Sequence, residues 1–184
     1  MRGGGIYNYL AGAGFDGECF GLHMGGLQNL NLGDGNGNQT QMAILRYQYF
    51  HDPFLGSCLE SIYGGNHVRI FKQQTSGAYF LATSAEMDST THHNLGWDAY
   101  DLGRNNFIGN CTDVAIPENV TINSTFVGDI IQDGWRYTTN VTFTDGLLPQ
   151  NRTFWNHYAQ VQKVGGAVSD GLVAVLEIQM TEVQ

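Results

Sequence analysis

Along most of its length the chain alternates apolar and polar positions, the mark of strands that bury one face. The clearest case is LVAVLEIQMTE, Leu172 to Glu182. Leu172, Ala174, Leu176, Ile178 and Met180 share one face, and Glu177, Gln179 and Thr181 the other. Runs rich in β-branched and aromatic residues predict further strands at Ala43–Phe50, Gly64–Phe71, Gly77–Ser84, Asn119–Val127, Trp135–Thr144 and Thr153–Val164, with a short one between Phe20 and Leu30. Gly, Asp, Pro and Asn clusters separate them. Residues 1–40 are glycine-rich and read as irregular. Residues 86–109 contain many helix breakers and read as loop with one helical turn at most. No linker, repeat or low-complexity run divides the chain. The expected architecture is therefore a single all-β domain over residues 1–184, an antiparallel sandwich or barrel of jelly-roll type.

Composition narrows the partners. The chain has 184 residues, 17 acidic against eight basic, for a net charge of −9. This balance disfavours nucleic acid and anionic membranes, both of which need a basic surface. No apolar run is long enough to span a bilayer, and MRGGGIYNYL lacks the apolar core of a secretion signal. Six Asn-x-Thr sequons, at Asn38, Asn110, Asn119, Asn123, Asn140 and Asn151, nevertheless point to a glycoprotein of the secretory pathway or the extracellular space. Three cysteines in an oxidising compartment predict one disulfide and one leftover thiol, with Cys19–Cys58 the favoured pair and Cys111 unpaired. A homodimer is compatible with this composition.

Candidate chemistry gathers in two segments. In GGNHVRIF, Gly64 to Phe71, His67, Arg69 and Phe71 share one strand face while Val68 and Ile70 share the other. A histidine beside an arginine is either a wetted face or a pocket wall. In HNLGWDAYDLGRNNFIGN, Trp97, Tyr100 and Arg104 stand among Asp98, Asp101 and Asn105. That mixture suits a binding edge, or a structural loop in which Arg104 pairs with an aspartate. GDGNGNQ, Gly33 to Gln39, imitates the start of a calcium loop but lacks its glycine and its closing acid, so it reads as a solvated turn. There is no G-x-S-x-G elbow, H-E-x-x-H pair, phosphate loop or dinucleotide fingerprint. The six histidines are scattered, so neither a metal nor another cofactor is expected.

GGNHVRIF, SGAYFLATSAE, HNLGWDAYDLGRNNFIGN and DGLVAVLEIQMTE together resemble a family of secreted fungal glycoproteins that includes hetero-Diels–Alderases of tropolone–sesquiterpenoid (meroterpenoid) biosynthesis. The resemblance covers roughly residues 55–110 and 165–184. Asp101 and Asn105 stand where the family pattern has Asn and Asp. The resemblance implies a pericyclase that joins a tropolone-derived ortho-quinone methide to a sesquiterpene such as humulene, forming a dihydropyran. Such a reaction needs positioning and hydrogen-bond donors rather than a nucleophile. On this reading His67 and Arg69 would be catalytic, and Phe71, Tyr47, Tyr49, Trp97, Tyr100 and Arg104 would line the site for apolar small-molecule substrates. The alternative is a non-catalytic secreted glycoprotein that binds a small apolar ligand or a glycan, or serves the wall or matrix.

Overall fold

The computed structural model describes residues 4–18, 20–21, 26–52, 54–96, 98–148 and 169–183. The fold is mixed α/β, which corrects the all-β expectation. Three helices, α1 (Ile6–Gly12), α2 (Gly56–Tyr63) and α3 (Ala99–Thr112), accompany three small antiparallel sheets. The first sheet has the order β1-β4-β5-β6: Phe15–Asp16, Ala43–Tyr47, Gly65–Lys72 and Tyr79–Glu86. The second is the hairpin β2-β3, Asn29–Asn31 with Asn38–Thr40, and the third is β7-β8-β9, Phe126–Gln132, Trp135–Thr144 and Val173–Glu182. None of them closes into a barrel.

The third sheet follows its alternation. Tyr137, Thr139, Val141 and Phe143 are buried on β8 and pair with Met180, Ile178, Leu176 and Ala174 on β9. Sequence and structure agree on β8 end to end and on β9 to within a residue. The strand expected at Asn119–Val127 begins only at Phe126, and the one expected at Phe20–Leu30 is the three-residue β2. The strand expected at Thr153–Val164 lies outside the described residues.

The largest correction is α3, which occupies the segment read as loop. Val68 and Ile70 of β5, Leu45 of β4, Phe15 of β1, Phe107 and Cys111 of α3, and Tyr9 and Leu10 of α1 meet Tyr137 of β8 in one buried cluster. Helices α1 and α3 thus each bury an apolar stripe in this core beside the strands. Gly103 explains why α3 carries a breaker. A Cβ there would stand 2.5 Å from the Ser84 Cα, so only glycine lets the helix lie this close to β6. Two buried polar contacts fix the register of the core: the Tyr9 and Thr139 hydroxyls lie 3.0 Å apart, and the Asn8 amide donates to the Tyr137 hydroxyl at 2.7 Å.

GDGNGNQ is a turn, as expected. Asp34 accepts from the Asn36 side chain and from the Gln74 backbone N–H, tying this turn to the β5–β6 hairpin. No helix among the described residues is long and apolar enough to cross a membrane.

Candidate functional site

β5 has two faces, and each builds something different. On the face turned from α3, the antiparallel register sets Arg46, His67 and Ser84 side by side across β4, β5 and β6, with Glu86 opposite Gly65. α2 lies over this end of the sheet and lowers Glu60 onto it. Arg46 Nη1 donates to Glu60 Oε2 at 2.6 Å and to Glu86 Oε2 at 3.2 Å. His67 Nδ1 is 3.1 Å from Glu86 Oε1, and the Ser84 hydroxyl is 3.3 Å from His67 Nε2. His93 Nδ1, in the turn after β6, reaches to 3.8 Å from Glu86 Oε2. Glu60 is wholly buried, and Arg46 and His67 nearly so.

The glycine pair before this strand makes the approach possible. Gly64 ends α2 in the left-handed region, φ 81°, where its N–H caps the Glu60 carbonyl. Gly65 has φ 149°, and a Cβ there would fall 2.9 Å from Glu60 Cγ. Helix α2 itself is inverted. Its buried positions are Gly56, Ser57, Cys58, Glu60 and Ser61, while Leu55, Ile62 and Tyr63 are exposed. A helix that hides its polar side covers something polar, and here that is the charge cluster.

Burial pushes the Glu60 carboxyl up to about 7 against the pull of Arg46, with Glu86 and Glu18 adding to the rise. Burial also works against the Arg46 charge, but the two carboxylates overcome it and raise its pKa. The cluster thus holds a permanent cation and a carboxyl that titrates near neutrality.

The other face, toward α3, opens into a cleft of about 500 Å³ at the end of the first sheet. Tyr47, Tyr49, Gly65 and Asn66 form one wall, Asn105, Asn106, Gly109 and Asn110 of α3 the other, and residues 114–116 close an end. No side chain lining it carries a formal charge. The Asn66 amide donates to the Gly103 carbonyl at 2.9 Å, and its buried Oδ1 has no partner among the described residues. The Asn105 amide reaches the Pro117 carbonyl, and the Tyr49 hydroxyl donates to the Gly64 carbonyl at 2.8 Å. Tyr49 stands between the two sites. Burial, then Glu60, raises its pKa.

The candidates from the sequence therefore divide. Tyr47 and Tyr49 line the cleft. His67 and Arg69 do share a face, as the alternation requires, but it is the face away from the cleft. Arg69 Nη1 donates to Gln41 Oε1 at 2.5 Å and takes no part in the cleft wall. Phe71 is buried beyond Arg69. Tyr100 packs on Leu95 and Ala99. Arg104 forks onto Asp170 at 2.7 and 2.9 Å, donates to the Leu172 carbonyl and stacks on Phe143, so it joins α3 to β8 and to the segment that leads into β9 as a structural residue. Trp97 lies outside the described residues.

Asn38, Asn119, Asn123 and Asn140 are exposed, as sugar acceptors must be. Asn110 is half-buried at the cleft wall, and its sequon partner Thr112 is buried with its hydroxyl on the Ile108 carbonyl. Asn151 and Cys19 lie outside the described residues, and Cys111 is a buried free thiol. Arg46 and Asn66 went unnoticed in the sequence, where Glu60 and Glu86 stand only as acidic residues available for a carboxylate pair. The one available signal was Arg46, a lone charge after the apolar run Ala43-Ile44-Leu45.

Comparison with protein-family models, with curated proteins and with solved structures returned no match.

Proposed function

We propose that this chain is a secretory-pathway glycoprotein that takes small cyclic molecules into the Tyr47–Tyr49 cleft and catalyses the coupling of a tropolone-derived ortho-quinone methide with a sesquiterpene. One observation carries the reading: an uncharged cleft of about 500 Å³ with two tyrosines, asparagine amides and a buried Asn66 carbonyl oxygen that lacks a partner among the described residues. Small-molecule sites combine apolar surface with convergent polar groups, and this cleft sets Tyr47, Tyr49, Val114 and Ile116 beside four asparagines. A pericyclic coupling gains most from holding two partners together, and neutral amide donors suit the oxygens of a heterodiene. The activity itself is drawn from the resemblance of the four segments. The donor role passes from His67 and Arg69, which are turned away, to the Asn106 amide, the second amide N–H of Asn66 and Asn105, and the Tyr47 hydroxyl.

The test is a coupling reaction. Glycosylated protein from a fungal host is mixed with a quinone-methide precursor and humulene, and the adduct is resolved by chiral chromatography. The reading expects a rate above the protein-free control and one stereoisomer. Tyr47→Leu and the exposed Asn106→Leu should each lower the rate about 10-fold or more, while Arg69→Gln leaves it unchanged. A rate and product mixture equal to the control would overturn it.

A second reading, ligand binding without turnover, is favoured by the placement of the only histidine and arginine of the GGNHVRIF strand on the far face. Saturable binding of the precursor with no acceleration would select it.

A further inference from the structure

The buried cluster has a composition that the cleft does not use. We infer that Glu60, His67 and Glu86 bind one first-row divalent cation, of the Zn²⁺ or Mn²⁺ class, between α2 and the first sheet. One ligand atom from each residue lies within 4.8 Å of the other two. Metal–ligand bonds of about 2.0–2.2 Å place neighbouring ligand atoms roughly 3–3.5 Å apart. The His67 Nδ1–Glu86 Oε1 pair, at 3.1 Å, already has that spacing. Only the Glu60 carboxylate needs to close in.

The independent sign of a ligand is Glu60 itself. It is 0% exposed, one of its oxygens serves Arg46, and the other has no hydrogen-bond partner among the described residues. An unpartnered carboxylate oxygen at zero exposure is costly unless something positive meets it. Arg46 does not fill that need, because its bonds go to Oε2 of both glutamates. This leaves Glu60 Oε1 for an inner ion, beside the Glu86 Oε1 that now faces His67 Nδ1, and makes Arg46 an outer partner that orients the carboxylates.

Charge agrees. Glu18, Glu60 and Glu86 act on this point against Arg46 and, from its bond to Gln41, the more distant charge of Arg69, which leaves an excess of negative charge. One imidazole with two carboxylates suits zinc or manganese better than calcium or magnesium, which prefer all-oxygen sets. The inverted helix α2 and the glycine at position 65 are what such a buried polar centre requires of its surroundings. Glu86 and His93 keep side-chain exposures of 15% and 21%, so an ion reaches the centre past them. The ion would pin α2 to β5 and β6 behind the cleft, and the inference does not depend on what the cleft binds.

Secreted, glycosylated protein is stripped with EDTA and titrated calorimetrically with zinc chloride and with manganese chloride. One equivalent of at least one cation should bind in the micromolar range or tighter. Glu60→Gln and His67→Gln should each weaken binding by about 100-fold or more, whereas the exposed His51→Asn and His92→Asn leave it unchanged. Circular dichroism checks that each variant is folded. Should the ligand variants fail to fold, manganese-induced broadening of the wild-type His67 and Ser84 resonances supplies the decision. Saturable binding with selective loss, or broadening centred there, supports the site. Absence of saturable binding by either cation, or binding equal in the ligand and control variants, overturns it.

Discussion

The two faces of β5 are built from one eight-residue strand and behave as opposites. Toward α3, Val68 and Ile70 sit with Leu45 and Phe107 in a dry, apolar core. Away from α3, His67 lies between Arg46 and Ser84, with Glu60 and Glu86 closing the group. The first face stabilises the fold by removing hydrocarbon from water. The second holds charges out of water, which costs stability unless every partner stays in place. A strand that is stable on one side can carry reactive or ion-binding groups on the other. The cleft opens where the two regions meet at Gly65 and Tyr49.

This contrast can be broken at either face. The largest effect belongs to the apolar side: Phe107→Ala should cost about 3–5 kcal/mol, read as a fall in denaturant midpoint at constant slope. On the charged side, Arg46→Met should cost about 3–4 kcal/mol, because it leaves two carboxylates facing each other in a buried site. Adding Glu60→Gln should recover part of that loss. A non-additive double mutant of this sign is not expected between Phe107 and any residue of the cluster.

The third prediction uses pH. Glu60 titrates near 7 when folded and near its ordinary 4.5 when unfolded. Its contribution is therefore fully present below the unfolded value and is lost as pH rises through 7. Stability of chelator-treated protein should fall by about 3 kcal/mol across that window, and Glu60→Gln should flatten the slope. The smallest effect tests the inversion of α2. Ile62→Lys, at an exposed apolar position, should change stability by less than about 0.5 kcal/mol, while the same charge at Ser61 unfolds the helix from the sheet.

How legible each region was follows from the same physics. The third sheet was readable because its inner positions, Tyr137 to Phe143 and Ala174 to Met180, are mostly apolar, while its outer face mixes polar residues with the exposed Val127, Ile131 and Val175. Helix α3 was hidden by Gly103 and by its asparagines, which look like breakers. The glycine is there for close approach to Ser84, a tertiary reason that no local pattern carries. Helix α2 was hidden because its polar side faces inward, so its period argues for the wrong face. Residues 64–71 gave the right facial pairing of His67 with Arg69. What covers that face comes from α2 and β6, distant in sequence, and the cleft falls on the opposite side for the same reason. Tyr47 and Tyr49 were found among the aromatics; Asn66 was not, since an asparagine on an apolar face gives no sign of an unpaired oxygen.

The most direct measurement of the two-face account is a heteronuclear NMR titration of metal-free protein with tropolone. The account predicts saturable shifts in the side-chain amides of Asn66, Asn105 and Asn106, with the Arg69 Nε–H unmoved. Shifts at Arg69 and His67 with those amides silent would contradict it.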